Sequence, residues 1–306
     1  MRELAPIVFF AYNRPEHTKL ALESLSGNRL AGESSLWIFI DGPKPGATDE
    51  DRAAIEKVKK VVAERKWCKE VFITASETNK GLFKANIEGV TKIINQFGKI
   101  IVLEDDSILS PGFLTYINDA LDFYENTPQV MHVGGFSRPD MQPATDKLKA
   151  STYFFYHTNT WGWGTWKKAW DKFNPDALAI RKAITAKGNI KKLNMDGTFE
   201  FYWGLKAVAK KQFSWNTIWH SVVFLYDGLC LYPKKTLVEN IGHDGTGTNC
   251  LPDDRFKIEE ALAESIPVTT IPLEEDEAIR QYYIKIHSLK YKMHFAIKHY
   301  LRYLLK

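Results

Sequence analysis

Glu104, Asp105 and Asp106 stand together immediately after the apolar run Ile100-Ile101-Val102-Leu103. Adjacent carboxyl groups repel one another unless a cation offsets them, and oxygen donors of this kind suit hard divalent ions. The residue types therefore point to a divalent ion that joins the protein to a phosphate. The alternative is that the acids, with Ser110, cap the helical stretch opened by Pro111 and Gly112. Further reactive residue types fall in other loops. Asn13-Arg14-Pro15 follows an early apolar run, Asp41-Gly42-Pro43 follows the next, and Asn79-Lys80-Gly81 follows a third. Residues 239–249 combine Gly242, His243, Gly245 and Gly247 with small polar side chains, a supple stretch whose backbone N–H groups suit a pyrophosphate. In Trp161-Gly162-Trp163-Gly164 the glycines let the backbone turn tightly under indole rings. That segment reads either as a floor for a sugar ring or as a structural tryptophan corner.

The elements that must position these residues alternate. Apolar runs at 7–11, 36–40, 71–75 and 100–103 read as strands, and the stretches 16–26, 49–65 and 83–95 between them read as helices. Runs 7–11 and 100–103 lack polar alternation, as expected of strands buried on both faces. In βαβ units ligands bind beyond the carboxyl ends of the strands, and Asn13, Arg14, Asp41 and the three acids all fall at that edge. No Gly-x-Gly-x-x-Gly follows the first strand and no Walker A sequence occurs, which excludes a standard dinucleotide fold and a P-loop NTPase. Beyond the acids, 113–126 reads as a helix, 130–134 as a strand, 135–150 as a polar loop and 153–156 as a strand. Residues 198–209 read as a helix carrying Glu200 near its start, and 213–218 and 222–225 read as short strands.

With 306 residues and 44% hydrophobic content the chain can bury a large core. The net charge of +4 is unevenly placed: from Ala278 onward there are seven Lys or Arg and no acid, so the preceding residues hold 34 bases against 37 acids. A slightly acidic body argues against nucleic acid as a partner. Three scattered cysteines, Cys68, Cys230 and Cys250, suit a reducing compartment and no zinc or disulfide framework. The N-terminus shows no signal-peptide pattern, and no stretch of 18 apolar residues is present. The chain is therefore expected in the cytoplasm.

The order of these motifs resembles a GT-A glycosyltransferase: strand, Asn13-Arg14-Pro15, Asp41, Asn79-Lys80-Gly81, Glu104-Asp105-Asp106, the Trp-Gly-Trp-Gly segment and an acid after it. It is similar to bacterial family 2-like sugar transferases and, more distantly, to the N-acetylglucosaminyltransferase I family, over about residues 5–250. The resemblance implies an α/β fold of the nucleotide-diphospho-sugar transferase type, a Rossmann-like mixed sheet with flanking helices. It divides the chain into a catalytic domain, residues 1–250, and a C-terminal extension, residues 251–306. It implies that Asp106 coordinates Mn²⁺ or Mg²⁺ and that Asp105 contacts the ribose or shares the metal. Glu104 lies near the donor sugar, and Arg14, Asp41 and Lys80 hold the nucleotide, with Asp41 accepting from a uracil N–H if the donor is a UDP-sugar. Trp163 and its neighbours line the sugar and acceptor side, while His243 joins the metal site and closes with Gly245 over the diphosphate. Glu200 matches the acid expected to act as base. The family relative has paired acids where this chain has Phe199-Glu200-Phe201, so Asp196 is the alternative base.

The chemistry agrees with those residue types. A cation offsets charge on a leaving diphosphate while one carboxylate takes a proton from an acceptor hydroxyl, which predicts inversion at the anomeric carbon. The expected partners are a nucleotide-diphosphate sugar and a glycan or lipid-linked sugar acceptor in cell-envelope polysaccharide synthesis. A non-catalytic carbohydrate- or nucleotide-binding module on the same scaffold is a second reading, and a sugar-nucleotide nucleotidyltransferase a third. From Tyr282, Ile286, Leu289, Met293, Ile297, Tyr300 and Leu304 form one helical apolar stripe opposite Lys285, Lys292, Lys298, Arg302 and Lys306. Such a basic amphipathic helix either lies in an anionic membrane interface, on the inner face of the cytoplasmic membrane, or packs on the body.

Overall fold

A computed structural model describes residues 3–211, 214–245 and 256–288. The alternating part forms as the apolar periodicity predicts. Strand β1 (Ile7–Ala11) leads to helix α1 (Pro15–Ser26), β2 (Ser35–Ile40), α2 (Asp49–Ala63), β3 (Glu70–Ala75), α3 (Gly81–Phe97) and β4 (Lys99–Glu104). Then come β5 (Ser107–Leu109), α4 (Phe113–Phe123), β6 (Val130–Gly134), the single turn α5 (Gln142–Thr145), β7 (Thr152–Phe155) and β8 (Trp163–Trp166). The turn α6 (Lys167–Trp170), α7 (Ala177–Lys187), the turn α8 (Ile190–Leu193), α9 (Phe201–Lys211) and α10 (Trp215–Leu225) follow. The last elements are β9 (Leu229–Pro233), β10 (Val238–Asn240) and α11 (Glu277–His287).

Eight strands make one sheet in the order β3-β2-β1-β4-β8-β6-β9-β7, and β10 pairs with β5 in a separate antiparallel ladder. β1 runs parallel to β2 and β4, while β8 lies antiparallel between β4 and β6. This is the mixed, helix-flanked α/β sheet implied by the GT-A resemblance. Residues of β1 alternate between two cores. Ile7 and Phe9 pack with α1, α2 and α4 on one face, and Val8 and Phe10 pack with α3, α9 and α10 on the other. A strand covered on both faces has no polar side, which is why its sequence shows none.

The second half departs from the expected elements. Residues 215–218 and 222–225, expected in strands, lie instead in the single helix α10, and residue 213 lies outside the described residues. Ser214 caps it by accepting from the Thr217 N–H, and Trp215, Ile218, Trp219, Val222 and Val223 are all buried. A helix enclosed on every side loses its amphipathic period, so its β-branched and aromatic residues mimic strands. Helix α9 begins at Phe201, three residues later than expected, so Glu200 precedes it. The described part of the C-terminal extension embraces the body. Phe256, Ile258 and Ile266 pack on one core, and Ile279, Tyr283 and Ile286 of α11 pack on the other. The apolar stripe beyond Ser288 and residues 246–249 of the glycine-rich loop lie outside the described residues.

Candidate active site

Arg14 sits in the loop between β1 and α1, where Pro15 opens the helix with no N–H to leave unsatisfied. The acids sit one strand away, because β4 pairs with β1 in parallel and ends at Glu104. Across that edge Arg14 Nη2 donates to Asp105 Oδ1 and, at 2.9 Å, to Asp106 Oδ2. The β5–β10 ladder then brings in a segment far along the chain. Its register sets Ser107 against Asn240, and Asn240 Nδ2 donates to Asp106 Oδ1 at 2.9 Å. Ile241 N–H donates to the Asp106 carbonyl at 2.9 Å, and Gly242 N–H to Asn240 Oδ1 at 2.9 Å. Gly242 is required here, since a Cβ would overlap Asp106 Oδ2 and approach Arg14 Nη1 to 3.1 Å. His243 belongs to the following turn, Gly242–Asp244, and its ring meets Phe256 at 4.6 Å and Trp161 at 5.2 Å. Gly245 closes the turn at φ 89°, a left-handed conformation suited to glycine. His17 on α1 reaches the same turn through Asp244, 3.2 Å away.

Two of the three adjacent carboxyl groups thus contact the one guanidinium, and the protonation of all three follows from that imbalance. Burial opposes the Arg14 charge, but Asp105 and Asp106 outweigh it and hold Arg14 protonated. Burial, together with the Asp106 and Asp105 charges, pushes Glu104 up to about 8. Burial also pushes Asp105 up to about 6, against the pull of Arg14. Among the described residues no three His, Cys, Asp or Glu side chains form a ready-made metal cage. The donor set is nevertheless hard oxygen with too little positive charge around it, which fits a divalent ion whose remaining ligands come from phosphate or water.

The other expected site residues are placed differently. Asp41, at the end of β2, accepts from Gly42 N–H and Lys80 N–H through Oδ1, and from Asn79 Nδ2 and Gly81 N–H through Oδ2, all at 2.8–3.0 Å. Its carboxylate organises the loop before α3. Lys80 turns outward, with its Nζ 2.7 Å from Glu88. The sugar-floor expectation for Trp163 is corrected. The side chain has 0% exposure, its ring lies 5.1 Å above His132 and it packs against Trp215 at 5.5 Å. Its register opposite Val102 in the centre of the sheet leaves no route to a ligand. Trp161, two residues earlier, is the half-buried indole, edge-on to Phe136, His243 and Phe256.

Glu200 is exposed just before α9 and makes no ion pair among the described residues. Asp196 has φ 56° and is bound to Arg280 at 3.0 Å. None of these contacts links either acid to Asp106. Phe136 also borders a small cleft of about 50 Å³, lined in part by Arg138, Tyr153, His157, Asn159 and Tyr283. Burial lowers the imidazoles beneath it, His132 to about 3 and His220 to about 4. Asn240, His17 and this cleft were not visible in the sequence. Asn240 meets Asp106 across 134 positions, and only the β5–β10 pairing, itself three residues long, joins them.

No family profile and no curated protein matches the sequence. Among solved structures the chain is similar to TarS of S. aureus, with 16% identity over 43% of this chain and 21% of that one, at a TM-score of 0.30. On TarS residues 1–349 the match has 10% identity over 77% and 60% of the two chains, at a TM-score of 0.42. The chain thus spans about a fifth of the first of these and 60% of the second. It is also similar to mouse xyloside xylosyltransferase 1 in its apo form, with 11% identity over 74% and 84% of the chains and a TM-score of 0.38. A further match is the galactosyltransferase LgtC bound to donor and acceptor sugar analogs, with 10% identity over 58% and 64% and a TM-score of 0.34. Two of these solved structures, the xylosyltransferase and the galactosyltransferase, are named for sugar transfer.

Proposed function

We propose that the chain is a metal-dependent, inverting glycosyltransferase that moves a sugar from a nucleotide-diphosphate donor to a hydroxyl of a glycan or lipid-linked acceptor. The observation that carries this reading is the convergence of Arg14, Asp105, Asp106, Asn240 and Gly242 at one sheet edge. Asp106, with His243 beside Gly242 in the neighbouring turn, would hold Mn²⁺ or Mg²⁺, and Asp105 the ribose or the same ion. Such an ion supplies positive charge to the leaving diphosphate. Arg14 adds a fixed guanidinium to the same anion, and Gly242 leaves room for it. Glu104 faces the sugar, and Glu200 takes the acceptor hydroxyl's proton as its oxygen bonds to the anomeric carbon and the bond to diphosphate breaks. Asp41 and Lys80 serve the nucleotide indirectly, through the shape of the 79–81 turn.

Thermal denaturation with a set of nucleotide sugars, each with and without Mn²⁺, tests the reading. A stabilising donor whose effect needs the metal is expected, and Asp106→Ala is expected to abolish it. Glu200→Gln should keep that shift while turnover falls by at least ~100-fold. A full shift with Asp106→Ala overturns the metal role. Undiminished turnover in Glu200→Gln passes the base to another group, Asp196 first. Donor binding with no transfer to any hydroxyl acceptor would favour a binding module instead.

A further inference from the structure

The helices α7, α8 and α9 together carry eight Lys or Arg and no Asp or Glu. This is a strong local excess, because the chain before Ala278 as a whole holds 34 bases against 37 acids. Two of the eight have structural partners: Lys187 binds Asp227 and the Phe224 and Leu225 carbonyls, and Lys192 binds the Tyr156 hydroxyl. The other six, Arg181, Lys182, Lys191, Lys206, Lys210 and Lys211, form no ion pair among the described residues.

The outer face of α9 also presents an indole. Tyr202, Leu205 and Val208 point into the core, which leaves Trp203, Lys206 and Lys210 on one exposed stripe. Trp203 is 52% exposed, with the Arg181 guanidinium 5.2 Å from its ring and Lys206 Nζ 5.5 Å from it on the same helix. On α7, Leu178 is 55% exposed, one turn before Arg181 and Lys182. An exposed indole thus stands among cations that form no ion pair among the described residues.

We propose that the α7–α9 face docks on an anionic lipid bilayer. Its lysines would lie against acidic headgroups, and Trp203 and Leu178 would enter the interface, where amphipathic rings are favoured. The end of the described chain agrees with this placement. Tyr283 and His287 of α11 pack against Phe199, just before α9, and the sequence after Ser288 adds five Lys or Arg and no acid. None of its residues belongs to the Asp106 site or is given a catalytic role, so the inference stands whether or not the chain transfers sugar.

Co-sedimentation of the full chain with vesicles tests it, using phosphatidylcholine alone and an equimolar mixture with phosphatidylglycerol. Binding to the mixed vesicles only is expected, weakening as salt screens the charges. The triple variant Lys206→Gln, Lys210→Gln, Lys211→Gln should lower partitioning on the order of 100-fold. Trp203→Ser should lower it roughly 10-fold while leaving heparin binding unchanged. All of these positions are solvent-facing, and an unchanged near-UV circular dichroism spectrum confirms the fold of each variant. Equal binding to neutral and mixed vesicles overturns the proposal, as does wild-type partitioning by the triple variant, which would move the contact to the C-terminal segment. Wild-type partitioning by Trp203→Ser also overturns it, and marks the face as a site for soluble polyanions.

Discussion

A carboxylate offers about four acceptor positions, and Asp41 fills all four from its own protein. Asp106 is bound differently: Arg14 and Asn240 take one bond on each oxygen and leave lone pairs on both. Of the two acids ending strands, Asp106 is therefore the one chemically open to a ligand. Gly242→Ala probes this without touching a charged group, because the added Cβ must displace the Asp106 carboxylate. Metal-dependent donor binding should weaken at least ~10-fold while the folded state loses only about 1–3 kcal/mol, as overpacking does. Donor titration and chemical denaturation of the same variant measure the two effects. Trp163→Ala should show the opposite balance. Removing a fully buried indole from the Trp215 and His132 contacts should cost about 3–5 kcal/mol, seen as a lowered denaturation midpoint. A change in donor or acceptor KM at unchanged stability would return Trp163 to the sugar floor.

At the scale of elements, the alternating half was legible because each strand and helix there carries its own period and turn. The runs at 7–11 and 100–103 end in polar residues at a predictable sheet edge, so the sequence alone brings Arg14 and the three acids together. The second half was harder because its signals come from packing. Helix α10 is enclosed by α3, α7 and α9, so no polar stripe marks it as a helix. The same enclosure surrounds His220 on α10, 2% exposed and 4.2 Å from the Phe201 ring, and burial lowers its imidazole to about 4. The sign of the consequence is fixed. As pH falls through about 6.5 the unfolded chain takes up the proton first, so stability is lost from there down to the folded value. Relative to His220→Phe, the wild type should lose about 2 kcal/mol between about pH 7 and pH 5. Urea denaturation of both proteins across that range measures it, and parallel pH curves would show that His220 titrates normally.

Over the whole molecule, the site is a tension between folding and binding. Folding β4 into the centre of the sheet forces Glu104 to share a confined edge with Asp105 and Asp106, and Arg14 offsets only part of that charge. Burial first, and then the two neighbouring acids, raise the Glu104 carboxyl to about 8, whereas an unfolded chain holds it near the ordinary value of about 4.3. A raised folded value means that its stabilising contribution is complete at low pH and is lost as pH rises toward about 8. Glu104→Gln removes that titration and keeps the shape. The metal-free variant should therefore gain on the wild type by on the order of 3 kcal/mol between about pH 5 and pH 8. Saturating Mn²⁺ should reverse the trend, because the cation and the protons compete for the same confined charge. Its stabilisation of the wild type should grow with pH over this range, and Glu104→Gln should flatten that growth. Denaturation midpoints for the two proteins, with and without Mn²⁺ across this pH range, decide the matter. A Mn²⁺ effect independent of pH, or equal in both proteins, would mean that the acids at the end of β4 are not the charge the metal answers.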